Sequence, residues 1–149
     1  MEKQKNSFDR IHFSSKTYKW KTPIDLFNDL NEEFHFNFDP ATPPVIGNYD
    51  ENALTKRWMI KEIKTKLRVY LNPPYDRKLM ERFIKKSYQE MKEGRIELVV
   101  FLLPLRATAL RFLVKKTEKV EFRILEKRLM FGDAVNGAPF DSVIAILQA

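Results

Sequence analysis

Apolar spacing changes period several times along the chain, and each change predicts an element. Ile24, Phe27, Leu30 and Phe34 recur every three to four residues behind Thr22, Pro23 and Asp25. Thr22 suits a helix cap, Pro23 the first helical position and Asp25 the third, so a helix is expected from there to about Phe34. Phe36 to Asp39 alternates apolar and polar residues before Pro40, the pattern of a short strand with Asp39 at its carboxyl end. Residues 40 to 50 read as loop, Glu51 to Ile63 as a helix, and Leu67 to Leu71 as the next strand. Asp76 to Glu93 carries Leu79, Met80, Phe83, Ile84, Ser87 and Met91 on one helical face, with Asp76 as cap and Gly94 as stop.

Ile96 to Leu103 is apolar apart from Glu97, as expected of a central strand covered on both sides, and it stops at Pro104. A helix from about Arg106 to Lys115 should follow. Val120 to Leu125 and Ser142 to Leu147 read as two further strands, antiparallel to each other, joined through a Gly-containing connection, 131 to 139. Strands alternating with helices predict an α/β fold with a mostly parallel sheet. Ligands of such sheets sit at the carboxyl ends of the strands, where Asp39, Asn72 and Pro104 all fall.

The stretch LNPPYD, Leu71 to Asp76, ends its strand more stiffly than a turn requires. That stiffness fixes the Asn72 side-chain oxygen and the Pro73 carbonyl as two neighbouring acceptors, which suits an exocyclic amine with its two hydrogens. Pro74 completes the turn, and Tyr75 adds a flat face on which an extruded base could stack. An aromatic amine is a poor nucleophile because its lone pair is delocalised into the ring. Two accepted hydrogen bonds favour a tetrahedral nitrogen and localise that pair, so positioning and fixed dipoles supply the catalysis.

Composition narrows the setting. The 149 residues fit one domain, read as a basic arm over 1–19 and a single unit over 20–149. MEKQKNSFDRIHF has no apolar core for a signal peptide, and the run Leu98 to Leu105 is too short to span a bilayer, so a cytoplasmic protein without a membrane partner is expected. The absence of cysteine removes disulfides, thiolate zinc sites and the nucleophile that C5 methylation of cytosine uses. Residues 1–21, 22–54 and 55–149 carry +4, −7 and +10, which together make the chain's +7. One region therefore suits a cation while the rest suits a polyanion.

The order of motifs resembles the phage-type DNA N6-adenine methyltransferases, Dam-like members of the NPPY amino-methyltransferases. HFSS and YKWKTP stand within 12–23, FNFDPAT at 36–42, YDENALTKRW at 49–58 and VYLNPPY at 69–75. VVFLLP follows at 99–104, EKRLMFG at 126–132 and APFDSVIAIL at 138–147. The resemblance implies a reduced Rossmann-like methyltransferase fold that uses S-adenosylmethionine: a mostly parallel sheet with an antiparallel C-terminal strand and helices on both faces. It implies catalysis by Asn72, Pro73, Pro74 and Tyr75. It also implies that Thr22, Pro23, Asp39, Pro40 and Ala41 hold the methionine end of the cofactor, with Asn52 and Leu54 near its adenine. The acceptor is then N6 of adenine in double-stranded DNA, and the source a phage or prophage.

The chain departs from the family pattern in two places. Thr42, Pro43 and Pro44 replace the usual Gly-rich turn after Asp39-Pro40-Ala41, and about thirty residues between Asp39 and Asn72 are too few for two further strand-helix units. A sheet trimmed on that side and a more open cofactor site are expected. Physics alone leaves N4 of cytosine, RNA, or a nucleic-acid-binding module without activity as alternatives. Lys56, Arg57, Lys64, Arg106, Arg111 and Arg128 are candidate phosphate contacts. His12 and His35 have no ligand spacing, so no metal is expected. Trp20 and Trp58 read as core or interface anchors. No segment is left for a separate target-recognition domain, so specificity falls to loops, the arm or a second subunit; a homodimer is compatible with the last.

Overall fold

The computed structural model describes residues 22–41, 54, 56–60, 63–105, 110–115, 119–125, 129 and 141–149. Helix α1 spans Ile24–Phe34 and buries Phe27, Leu30 and Phe34 of the expected stripe, while Ile24 at its first position is exposed. Each such side chain is worth about 1.5–3 kcal/mol when withdrawn from water. His35 closes the helix in the left-handed region, φ 52°, its N–H donating to the Asn31 carbonyl at 2.8 Å. The start differs from expectation. Pro23 takes the cap position with no side-chain cap bond, because the Thr22 hydroxyl is engaged elsewhere.

Strand β1 is Leu67–Leu71, helix α2 Arg77–Lys92, β2 Ile96–Pro104, helix α3 Leu110–Val114, β3 Val120–Ile124 and β4 Ser142–Gln148. Asp76 caps α2, its Oδ1 accepting from Leu79 N at 3.0 Å. Gly94 ends it at φ 83°, a conformation glycine adopts without steric cost.

The four strands lie in the order β1-β2-β4-β3. β1 pairs parallel with β2, with Leu71 beside Phe101, while β4 runs antiparallel between β2 and β3. Three strands therefore point one way and the last is inserted against them. The direction expected of the C-terminal strand holds. Counted by pairing rather than direction, however, the sheet is mixed, because one inserted strand converts two of the three ladders.

Two expected elements differ. Phe36 to Asp39 is reduced to a single parallel bridge, Phe38 to Val69. Asn37 explains this: its N–H donates to the Arg68 carbonyl while its side-chain Oδ1, in place of a backbone carbonyl, accepts from Arg68 N. Pro40 then offers no N–H to continue the ladder. In the stretch Glu51 to Ile63, none of the described residues is helical. Trp58 N donates to the Glu90 carboxylate at 3.2 Å and its indole is buried, so tertiary bonds replace the helical one.

Alternate strand residues sort into two cores, as a period of two requires. Val69, Leu71, Val99, Phe101, Leu103, Val143, Ala145 and Leu147 cluster with Met80, Phe83 and Ile84 of α2 and Leu113 of α3. Tyr70, Leu98, Val100, Leu102, Ile144 and Ile146 cluster with Phe27, Leu30 and Phe34 of α1. Trp58 joins the first core, at 5.9 Å between its ring centroid and that of Phe38. Among the described residues no helix is long and apolar enough to cross a membrane.

Candidate active site

The parallel register sets three chain exits side by side. Phe38 lies beside Val69 and Leu71 beside Phe101, so Asp39–Ala41, Asn72–Tyr75 and Pro104 leave the sheet at one edge. The residue before α1 joins them. Thr22 is buried, and its Oγ1 lies 2.6 Å from the Tyr70 hydroxyl and 3.1 Å from Asn72 Nδ2, which donates to it.

That bond places Nδ2 against the Thr22 hydroxyl. With Nδ2 committed to Thr22, Oδ1 is the acceptor end, and it is shielded from solvent. A dry acceptor interacts more strongly with a donor than a hydrated one does. Pro73 is buried, and the Pro74 carbonyl accepts from Asp76 N at 2.8 Å, so the turn runs directly into the capped start of α2. The helix cap and the stiff turn thus share one set of bonds.

Tyr75 is half-buried and packs against both cores. Its hydroxyl donates to the Leu102 carbonyl at 3.3 Å, and burial holds its pKa well above the ordinary phenol value, so it stays protonated. Tyr70 is fully buried, with its ring edge on Phe27 at 5.2 Å. Burial raises its pKa, the Thr22 bond opposes this, and the Asp39 carboxylate raises it further. Both tyrosines are therefore neutral hydrogen-bonding groups rather than bases at physiological pH.

Asp39 is also buried, its Oδ1 accepting from Ala41 N at 3.0 Å to make a tight side-chain turn with Pro40 at its centre. Pro40 and Ala41 are buried, Pro23 is half-buried, and Leu54 is half-buried against the first core. A carboxylate and a hydroxyl converging on one edge fit the ammonium and sulfonium of S-adenosylmethionine, so the donor chemistry suits the expected cofactor. Asn52, Arg106, Arg128, the arm, Trp20, His12 and the 132–139 connection lie outside the described residues.

The basic candidates are not gathered at this edge. Lys64 precedes β1 and so stands at its amino end, with the five-residue strand, roughly 16 Å, between it and Asn72. Lys56 and Arg57 are exposed beside the buried Trp58, and Arg111 is exposed on α3.

Sequence reasoning missed two side chains here. Tyr70 was legible only as a strand residue, because nothing local reveals a hydroxyl partner 48 positions away. Ser142 lies opposite Pro104 with a buried Oγ that has no hydrogen-bond partner among the described residues.

The sequence model of the DNA N-6-adenine-methyltransferase (Dam) family matches residues 12–144. No curated protein matches. The match spans the three sheet exits, Thr22, strands β1 to β3 and the first three residues of β4. The chain belongs to the DNA N-6-adenine-methyltransferase family.

Proposed function

We propose that this chain methylates N6 of adenine in double-stranded DNA with S-adenosylmethionine as donor, acting on a base extruded from the helix. The fold is then a reduced Rossmann-like one, with α1 on one face of the sheet and α2 and α3 on the other. The observation that carries the reading is the fixed Asn72 amide at the carboxyl end of β1, in a chain of this family.

Asn72 Oδ1 and the Pro73 carbonyl accept the two N6 hydrogens, which localises the nitrogen lone pair. Tyr75, held through Leu102, offers its ring to the base. Thr22, Pro23, Asp39, Pro40, Ala41, Asn52 and Leu54 form the cofactor side, within the segment of charge −7. When bound, the cofactor supplies an electrophilic methyl group on a sulfonium. Lys56, Arg57, Lys64, Arg106, Arg111 and Arg128 contact phosphates. A phage or prophage source and action in the host cytoplasm complete the reading.

The test is methyl transfer from labelled cofactor to unmodified duplex DNA, with digestion and mass spectrometry of the product. 6-Methyladenine is expected from the wild type and none from Asn72→Ala, whose cofactor binding stays near wild type. Retained turnover in Asn72→Ala sinks the assigned role.

A further inference from the structure

Two helices start at the edge that carries Asn72, one on each face of the sheet. α1 follows Thr22, whose hydroxyl touches Asn72, and packs on the second core; α2 follows the Asn72–Tyr75 turn through its Asp76 cap and packs on the first. Their exposed sides carry opposite charge. α1 exposes Asp25, Asp29, Glu32 and Glu33, the last paired with Arg123 of β3, and has no Lys or Arg from Ile24 to Phe34. α2 exposes Arg77, Lys78, Arg82, Lys85 and Lys92, with the half-buried Glu81 as the one acid on that side.

Helix stability does not account for the basic side. Cations in the first turn oppose the helix dipole and cost about 0.3–1 kcal/mol each, and α2 has no acid in that turn. Arg77 has Glu81 at 3.8 Å, and Lys85 Nζ sits 4.7 Å from the centroid of the Phe112 ring of α3. Lys78 and Arg82 stand four apart on the exposed side and have no ion-pair partner among the described residues. Backbone groups are not what this side offers, since Leu79 N is already bonded to Asp76 Oδ1. It offers two cations within about 9 Å of helix rise from the cap, beside the turn assigned to the target base.

A duplex lying across this edge is repelled by the α1 side and attracted by the α2 side, so the difference in sign selects its side of approach. We propose that the target duplex is seated against α2 rather than α1, with Lys78 and Arg82 contacting backbone phosphates beside the extruded nucleotide. The inference rests on the reading of this chain as a methyltransferase of duplex DNA.

Two double variants of the full-length protein test it. Lys78→Gln/Arg82→Gln, near the catalytic turn, and Lys66→Gln/Lys92→Gln, at the amino end of the sheet, remove the same charge from exposed positions. In fluorescence anisotropy with unmodified duplex, the near pair should lower affinity on the order of 50-fold at about 0.1 M salt and reduce the slope of log K against log salt by about two. The far pair should cost less than about threefold with the slope unchanged. The calorimetric affinity of the near pair for S-adenosylmethionine and its urea midpoint should stay at wild-type values. Equal losses from the two pairs make the effect one of net charge and overturn the proposal, as does an unchanged slope in the near pair. Asp29→Lys/Glu32→Lys on α1 should leave the slope as it is; a steeper one puts the duplex against α1 and overturns the assignment of side. Methyl transfer separates this claim from the reading it rests on. 6-Methyladenine from the wild type beside an unaffected near pair sinks only the docking surface, whereas no product from the wild type beside the near-pair loss sinks the enzymatic reading and upholds the surface. A wild type that does not bind duplex overturns both.

Discussion

The two ends of the sheet bury polar groups in opposite ways. At the amino end, Glu90 near the end of α2 is fully buried and compensated by charge: Lys86 Nζ lies 2.7 Å from Oε1, while Arg95 Nε and Trp58 N donate to Oε2. At the carboxyl end, Thr22, Tyr70 and Asn72 form a row of neutral groups. The first arrangement is closed, with partners supplied by the chain on each side. The second is built from neutral groups, with the Asn72 Oδ1 shielded from solvent. Buried charge with charged partners holds α2, β2 and the 56–60 segment in one place; the neutral row holds the residue before α1 against the exit of β1.

The largest test of this contrast is Glu90→Ala, which strands the buried Lys86, while half-buried Arg95 keeps Glu93, and should cost about 3–5 kcal/mol in urea unfolding. Asn72→Ala should abolish transfer with a stability change several-fold smaller, and the reverse ranking of stabilities would erase the distinction between the two ends.

Tyr75→Ala should weaken engagement of the extruded base by about 1–3 kcal/mol if the ring stacks, read as DNA affinity with unmodified duplex. Tyr75→Phe should cost much less, since the ring stays; equal damage from both removes stacking as the explanation.

The pH dependence separates the ends as well. Burial pushes the Glu90 carboxyl up, but the bonds from Arg95, Lys86 and Trp58 N together outweigh it and hold the pKa below the ordinary 4.5. A depressed folded pKa means that the stabilisation is present above the unfolded value and lost as pH falls through the folded one. Glu90→Gln should therefore flatten the acid limb of stability below about pH 4.5, measured by urea midpoints across pH. A parallel shift at every pH would contradict the charge account.

The smallest expected effect is that of Ser142→Ala, neutral or slightly stabilising by about 0–1 kcal/mol, because its hydroxyl has no partner to lose among the described residues.

Much of this was legible in the chain. The α1 stripe, the Asp76 cap, the Gly94 stop and the apolar β2 run depend on neighbours within a few residues, and each appears where the spacing placed it. Misreadings occurred where distant groups competed. Thr22 looked like a helix cap because Ser and Thr cap helices locally, yet Tyr70 and Asn72, 48 and 50 positions away, hold its hydroxyl. Glu51 to Ile63 looked helical until Trp58 bonded across to Glu90, 32 positions on. Lys86 and Glu90 are four residues apart on α2, and their burial depends on what packs above them.

The sequence by itself determined the stiff turn at Asn72–Tyr75, its place after a strand, the segregation of charge and the family of the chain. Tertiary structure alone decided that the last strand inserts between β2 and β3, and that Thr22 meets both Tyr70 and Asn72. The division follows from range: propensity, capping and turn chemistry act within a few residues. Register and hydrogen-bond direction are set by groups that become neighbours only when the sheet closes.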